Sequence, residues 1–290
     1  MSKSGALIVI VGETASGKSA AGMELARRFM GEIIAADSWT VYRGFDIGTA
    51  KPTAAERAEI PHHLIDIRDA DEGFNAALFK DLAQSAIEDI TARGKLPILV
   101  GGTALYIDSV LYDFSFRQTV TAAERERRNN MSIEELLAEI IDKGYSLEGI
   151  DARNKRRLIR LLEAEGERPV HRELRPNTLI IGLRIDRQQL RERIESRVDA
   201  MLAAGLEAEV KKLADTYGWE VEPMKGIGYR EWREYFAGTQ NLERVRQRII
   251  SGTMQKLAKR QRSWFGANPS VQWADDLRQV VDLATSFLNK

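Results

Sequence analysis

The sequence predicts an α/β protein built around a parallel sheet, and three observations support this fold class. Short apolar runs alternate with amphipathic helical segments over the first third of the chain, as in strands joined by crossover helices. The glycine-rich segment GETASGKS, residues 12–19, lies between such an apolar run and a helical segment. Strand character stops near residue 115 and returns near residue 178, so we expect a helical insertion in the sheet-bearing core.

The elements follow from this alternation. The expected strands are Ala6–Val11, Glu32–Ala36, His63–Ile67, Leu96–Val100 and Thr178–Ile185. The expected helices are Ser19–Met30, Asn75–Arg93, Thr103–Leu111, Arg187–Ala203 and Leu206–Tyr217. We therefore expect residues 1–114 and 178–290 to form one core, with residues 115–177 as a helical insert.

GETASGKS has the spacing of a phosphate-binding loop: Gly, four residues, then Gly-Lys-Ser. A strand that turns through glycines into a helix leaves backbone N–H groups converging on one point, where an anion is favoured. Lys18 adds a cation, and the Ser19 hydroxyl is a ligand for Mg²⁺. The pattern predicts a P-loop NTPase-like fold with a polyphosphate site formed by Gly12, Glu13, Thr14, Ala15, Ser16, Gly17, Lys18 and Ser19. The alternative is a glycine-rich turn before an ordinary helix.

Composition narrows the class of protein. The formal net charge is zero, so any surface for nucleic acid must be local. There are no cysteines and only three histidines, which excludes disulfides and thiolate metal sites and disfavours a zinc site. Because no stretch reads as a signal peptide or reaches transmembrane length, we expect a soluble cytoplasmic protein.

Two basic runs predict a surface for a polyanion. Arg153, Arg156, Arg157 and Arg160 are spaced to share one face of a helix, and Arg244–Arg262 contains seven basic residues and no acid. The alternative is a pair of solvated helix faces. Trp264 and Phe265 follow the second run, where they would either stack on bases or pack against the core.

Asp37 is the acidic residue expected at the ligand-binding edge of the sheet. It directly follows the second expected strand, whereas the strand Leu96–Val100 is followed by Gly-Gly-Thr without an acid. Ligands of open α/β sheets bind at the carboxyl ends of the strands. Asp37 would accept a proton from an incoming nucleophile or hydrogen-bond the substrate, bind Mg²⁺ through water, or cap a turn.

Six segments resemble those of the tRNA dimethylallyltransferase family: GETASGKS, EIIAADSWTVYRGFDIGTAKP, PHHLIDI, LPILVGGTALY, GIGYRE and QKLAKRQRSWF. The resemblance runs from Val9 to about Phe265 and is weakest in the expected insert. It implies that the N6 amine of the adenosine 3′ of the anticodon attacks C1 of dimethylallyl diphosphate, and that pyrophosphate leaves. The implied partners are Mg²⁺, the tRNA anticodon stem–loop and the prenyl donor, with no membrane. A monomer is the default expectation.

The resemblance also implies roles for individual residues. The catalytic residues would be Asp37, Lys18, Ser19, Thr103 and Arg230, with Ser19 on the metal. The tRNA contacts would be Asp37, Ser38, Trp39, Thr40, Thr103, Arg156, Arg157, Arg160, Arg248, Lys259 and Arg262. Thr103 would otherwise be a helix N-cap, and Arg230 a member of a surface ion pair.

Several positions depart from the family pattern, among them Trp39 and Thr40, which replace more usual residues after Asp-Ser. Glu13 stands where the family usually has Pro, so its carboxylate must point away from the phosphate site or be neutralised. Met254 lies where the family often has Arg. Two other classes of protein remain open on the residues alone. One is a nucleoside or small-molecule kinase with Arg153–Arg160 in its lid, and the other is a non-catalytic P-loop protein that binds RNA.

Overall fold

A computed structural model describes residues 5–114, 121–166 and 173–289. The chain forms two compact units, Met1–Leu111 with Leu174–Lys290, and Tyr112–Glu173. These limits lie within a few residues of those expected from the sequence. Residues 115–120 and 167–172, which the sequence assigns to the insert, lie outside the described residues. No helix in the described part of the chain is long and apolar enough to cross a membrane.

The larger unit contains a six-stranded parallel sheet with the order β3-β2-β4-β1-β5-β6. Its strands are β1 Leu7–Gly12, β2 Gly31–Ala36, β3 His62–His63, β4 Leu96–Gly101, β5 Thr178–Leu183 and β6 Val271–Ala274. Four strands are buried and mainly apolar because both faces of a parallel sheet are covered; the exceptions are buried Glu32 in β2 and half-buried Thr178 in β5. All strands run the same way, so their carboxyl ends meet at one edge.

The helices of this unit are α1 Lys18–Phe29, α2 Ala54–Glu59, α3 Ala76–Ala92, α4 Ala104–Leu111, α8 Arg187–Ala203, α9 Leu206–Tyr217, α10 Arg233–Phe236, α11 Leu242–Gly252, α12 Lys259–Gly266 and α13 Leu277–Leu288. Residues of α1 and α13 pack with Ile8, Ile10 and Ile98 of the sheet in one apolar cluster. A π-helical segment, Thr253–Ala258, joins α11 to α12. The expected basic C-terminal helix is therefore one helical run with a change of geometry in its middle.

A second apolar cluster supports the loop that follows β2. Phe45 of this loop packs against Tyr229, with ring centroids 4.9 Å apart, and Trp232 is fully buried nearby. The cluster includes buried residues of α8, α9 and α11. Short 3₁₀ turns at Glu222–Lys225 and Arg230–Trp232 carry Tyr229 and Trp232 into it. This cluster therefore packs against the loop that follows β2 and carries Asp37 at its start, called the Asp37 loop below.

The prediction of a strand over His63–Ile67 is wrong, and β6 was not predicted. Strand pairing ends at His63 because Leu64 and Asp66 adopt left-handed backbone conformations, with φ of 64° and 56°. The alternating pattern of this segment instead reflects packing of a turn, in which Leu64 is buried and Asp66 accepts a hydrogen bond from Lys51 at 2.5 Å. The strand β6 is short and lies at the sheet edge, where apolar patterning is weakest.

The smaller unit contains α5 Ala122–Asn130, α6 Ile133–Asp142 and α7 Lys155–Glu163. Its core includes Leu136 and Ile140 of α6 and four buried residues of α7. Arg156, Arg157 and Arg160 are exposed on α7. Arg153 was expected on the same helix, but Asn154 caps its N-terminus, and Arg153 pairs with Asp151 at 3.2 Å before the helix begins.

Candidate active site at the carboxyl edge of the sheet

The phosphate loop follows β1 and leads into α1. Gly12 has φ 148° and Gly17 has φ 102°, and a Cβ at Gly12 would lie 3.1 Å from the carbonyl oxygen of Leu183. Ala15 is held at φ 61°, which an L-residue adopts only when its surroundings impose it. The N-terminus of α1 has no side-chain cap and no acid in its first turn. Its unpaired N–H groups therefore form an open cradle for an anion.

Lys18 brings a cation into this cradle. Its Nζ donates to the carbonyl oxygen of Glu13 at 2.6 Å. The pKa of Lys18 is lowered to about 8, first by desolvation and then by the charge of Arg197, while Asp37 and Glu13 oppose the shift. A bound anion would stabilise the protonated amine, so the site is electrostatically ready for a phosphate group.

Glu13, whose carboxylate seemed out of place in a phosphate loop, is neutralised. Arg262 of α12 donates through Nε to Oε1 at 2.5 Å and through Nη2 to Oε2 at 3.1 Å. Glu13 is buried, whereas the Arg262 side chain is half exposed. This bidentate pair balances the negative charge of Glu13 with the Arg262 cation.

The residue before Arg262 also contacts the phosphate loop. Gln261 is buried, its Oε1 accepts from the backbone N–H of Thr14 at 2.8 Å, and its Nε2 donates to the carbonyl oxygen of Gly102 at 3.0 Å. The N–H of Thr14 is thus committed to the protein. Sequence reasoning missed Gln261, because a glutamine in a basic helix carries no local signal.

Asp37 is half-buried directly after β2. Its Oδ1 accepts from the backbone N–H of Trp39 at 2.9 Å, which is an Asx turn. Within the described residues, Oδ2 has no hydrogen-bond partner. One oxygen therefore fixes the loop, and the other remains available to a ligand. Trp39 is partly buried and Thr40 is buried in the same loop.

Thr103 ties the loop after β4 to the Asp37 loop. Its hydroxyl accepts from the backbone N–H of Ser38 at 3.0 Å and lies 3.4 Å from the Ser38 hydroxyl. Among the described residues, the hydrogen bonds of this hydroxyl are those to Ser38, and none comes from the first turn of α4, which Thr103 precedes. Asp37 and Thr103 are thus brought together at the carboxyl ends of β2 and β4.

Two arginines of α8 approach the site, and sequence reasoning did not select them. Arg193 and Arg197 are one turn apart, and they donate to the carbonyl oxygens of Ser16 and Thr49, respectively, at 3.4 Å. Burial lowers the pKa of Arg197, while the charge of Asp37 opposes this shift. Their segment, RERIESR, mixes both charges as any exposed helix does, so only the fold singles them out.

Arg230 has a carboxylate partner next to it in the chain. Its Nε donates to Oε1 of buried Glu231 at 2.8 Å, and Oε2 of Glu231 accepts from the N–H of Gly228 at 2.8 Å. The ion pair expected as the alternative role is therefore present. The Arg230 side chain is still 40% exposed, and no hydrogen bond joins it to the phosphate loop among the described residues.

The residues of the C-terminal basic run differ in their surroundings. Arg248 is paired with Glu234, and Lys259 is exposed. Trp264 is partly exposed, and its Nε1 donates to Asp108 at 2.6 Å. Phe265 is buried in the core, so it is not available to stack on a base.

The residues at the cradle fit a metal ion that arrives with a phosphate ligand. The Ser19 hydroxyl is exposed in the first turn of α1. Within the described residues, no group of three His, Asp or Glu side chains is placed to hold a metal. Mg²⁺ commonly keeps water and phosphate oxygens as ligands, so one serine hydroxyl is a sufficient protein contribution.

The chain is similar to known proteins over most of its length. The family model described as IPP transferase matches residues 40–268. The tRNA dimethylallyltransferase of Roseiflexus sp. (strain RS-1) is 44% identical, over 94% of this chain and 95% of that protein. The tRNA isopentenylpyrophosphate transferase of Bacillus halodurans has a crystal structure with TM-score 0.77 and 37% identity, covering 99% of this chain and 97% of that one.

A crystal structure of a eukaryotic dimethylallyltransferase acting on tRNA gives a TM-score of 0.78 at 28% identity, covering 97% of this chain and 76% of that one. The P-loop NTPase-like fold class is confirmed by the sheet and by these structural relatives. The chain belongs to the IPP transferase family.

Proposed function

We propose that this protein transfers a dimethylallyl group from dimethylallyl diphosphate to N6 of the adenosine 3′ of the anticodon in tRNA, releasing pyrophosphate. The observation that carries the proposal is an anion cradle at residues 12–19 and the Asp37 carboxylate at the same edge of one sheet. Relatives over 40% identical are named tRNA dimethylallyltransferase, so the kinase alternative is not favoured.

The cradle would bind the diphosphate of the prenyl donor. As the bond from C1 to the diphosphate oxygen breaks, negative charge accumulates on the leaving group. The N–H groups at the start of α1 and the Lys18 ammonium would stabilise that charge, and the fold already holds both at the same loop. Arg197 adds a second partly buried cation beside Lys18 and Asp37.

Asp37 would act on the nucleophile. The N6 amine forms the new bond to C1, and its proton passes to Oδ2 of Asp37, the oxygen that is not used by the Trp39 N–H. The Asx turn keeps the carboxylate in place during this transfer. The hydrogen bond from Ser38 to Thr103 holds the same loop from the other side.

The Ser19 hydroxyl would ligate Mg²⁺ together with the diphosphate oxygens. When bound, Mg²⁺ neutralises charge on the leaving pyrophosphate. The protein's own contribution is to hold the diphosphate by the loop backbone and Lys18.

The adenine must leave the stack of the anticodon loop to reach Asp37, which costs a few kcal/mol that other contacts offset. The loop from Asp37 to Thr40, with Thr103, would line the adenine pocket. Exposed Arg156, Arg157 and Arg160 of α7, together with Lys259, would contact phosphates of the stem–loop. A cytoplasmic monomer is part of the same proposal.

The test is incubation of the protein with dimethylallyl diphosphate, Mg²⁺ and unmodified bacterial tRNA, followed by mass analysis of the nucleosides. We expect an adenosine heavier by one dimethylallyl group, dependent on both substrates. ATP and candidate acceptors form a parallel reaction, in which steady production of ADP and no prenylated adenosine would favour the kinase. Binding of tRNA with neither product would favour a non-catalytic RNA-binding protein.

A further inference from the structure

Two consecutive residues of α12 hold the phosphate loop across most of the length of the chain. Gln261 contacts Thr14, and Arg262 contacts Glu13. Both loop residues lie in the first half of the cradle, which forms its rim, ahead of Gly17 and Lys18. The C-terminal helical run therefore reaches back to the first loop of the protein.

The fit of Gln261 is tight and complete. Gln261 is 6% exposed. Its Oε1 accepts a hydrogen bond at 2.8 Å, and its Nε2 donates one at 3.0 Å. A Cβ added at Gly102 would lie 2.2 Å from Nε2 of Gln261, so the amide packs directly on the glycine backbone. A buried amide satisfied at both ends specifies a single arrangement of the segments it joins.

Those segments are the two sides of the site. Thr14 belongs to the cradle for the diphosphate, while Gly102 immediately precedes Thr103, whose hydroxyl holds the N–H of Ser38. The connection thus runs from the cradle through Gln261 and Thr103 to the loop that carries Asp37. The Glu13–Arg262 pair adds a second contact on the same side of the cradle.

We propose that Gln261 is a positioning residue that, with the Glu13–Arg262 pair, sets the separation between the diphosphate cradle and the Asp37 loop. This inference deepens the proposed function and rests on it. Gln261 touches no reacting atom in this scheme. The same inference gives Arg262 a structural role at the phosphate loop, in place of the RNA contact expected from the sequence.

The test uses the full-length variants Gln261→Met and Gln261→Glu. Met keeps the length of the side chain and loses both hydrogen bonds, whereas Glu keeps an acceptor for the Thr14 N–H and loses the donor to Gly102. Gln255→Met is the matched control, because Gln255 is exposed on the same helical run. The measurements are pyrophosphate affinity with Mg²⁺ by calorimetry, tRNA affinity, thermal unfolding, and kcat and KM for dimethylallyl diphosphate.

We expect Gln261→Met to weaken pyrophosphate binding about tenfold, the size that follows from loss of a buried hydrogen bond. We expect kcat to fall as well and tRNA affinity to stay the same. Gln261→Glu should weaken pyrophosphate binding at least as much as Gln261→Met, because its buried carboxylate would face the Gly102 carbonyl oxygen and repel the anion. Gln255→Met should match the wild type. Pyrophosphate affinity and kcat within twofold of the wild type in Gln261→Met would overturn the inference, as would equal losses of pyrophosphate and tRNA affinity with early unfolding.

If Gln261→Met does not fold, Gln261→Glu is judged by the same criteria. Pyrophosphate binding requires neither tRNA nor a prenyl group, so the two proposals fail separately. A wild-type protein that prenylates no tRNA, with Gln261→Met still weakening pyrophosphate binding, would sink the proposed function and leave this inference standing.

Discussion

The two ends of strand β2 carry carboxylates with opposite surroundings. At the amino end, Glu32 is 1% exposed, and its oxygens accept from Arg93 at 2.5 and 2.8 Å and from Lys95 at 2.9 Å. His63 Nε2 lies 2.7 Å from the same carboxylate. At the carboxyl end, Asp37 is half-buried and accepts one backbone N–H among the described residues.

The difference shows how one strand serves both stability and chemistry. The charge of Glu32 is matched by neighbours on the chain, so it has no capacity left for a ligand. The cations near Asp37, Lys18 and Arg197, have pKa values lowered chiefly by desolvation, and no carboxylate forms an ion pair with either of them in the described part of the chain. Charge left unmatched at this edge is charge available to substrates.

Asp37→Asn should give the largest effect, a fall in kcat of about a thousandfold, within the range for loss of a general base. Asn can still accept the Trp39 N–H, so the loop and the free energy of unfolding should stay unchanged. Single-turnover prenyl transfer to tRNA measures this, with tRNA binding as the control. A kcat within tenfold of the wild type would contradict the role of Asp37.

Glu32→Gln should do the reverse and leave kcat nearly intact while lowering the free energy of unfolding by about 3 kcal/mol. Its partners would then remain around an uncharged amide. Arg93 above all, then Lys95 and His63, holds the pKa of Glu32 below its ordinary value. The stabilisation is therefore present above the ordinary pKa and is lost as the pH falls toward the folded-state pKa. Urea unfolding at several pH values measures it, and equal stability of both proteins at pH 7 would refute it.

The pH dependence of diphosphate binding tests the charge of Lys18 at the carboxyl edge of the sheet. The pKa of Lys18 is about 8 in the free protein, so above pH 8 an anion must first restore its proton. We expect pyrophosphate affinity to fall by up to about tenfold per pH unit above 8. Lys18→Arg stays charged and corrects for titration of the ligand itself. Parallel pH profiles for the two proteins would contradict the assignment.

Asp108 of α4 has surroundings intermediate between those of Glu32 and Asp37. Its replacement should change the protein less than any of the substitutions above. Burial raises its pKa, and the Trp264 N–H only partly opposes the shift. The folded state therefore holds the proton more tightly, and stability falls as the pH rises from the ordinary pKa through the raised one. Asp108→Asn should remove this dependence and raise the free energy of unfolding slightly at neutral pH, because the amide carries no charge to desolvate. Thermal unfolding of both proteins between pH 4 and 7 measures this difference. A variant less stable than the wild type at pH 7 would contradict the prediction.

Sequence reasoning identified those parts of the site that are local in the chain. The phosphate loop and Asp37 follow strands whose apolar runs are unmistakable, so their place at the sheet edge was predictable. Gln261 and Arg197 were missed because their roles arise only when distant segments meet. The turn after His63 was misread as a strand, since left-handed backbone at Leu64 and Asp66 leaves no mark on apolar alternation.

The position of β1 between β4 and β5 has a consequence for synthesis of the protein. The phosphate loop is made first, but its strand gains its second neighbour only after the helical unit has been translated. The rim of the loop is completed later still, when Gln261 and Arg262 emerge from the ribosome. A nascent or C-terminally truncated chain therefore carries the whole GETASGKS motif without a finished cradle. The protein becomes able to bind its anion in the complete cradle only near the end of elongation.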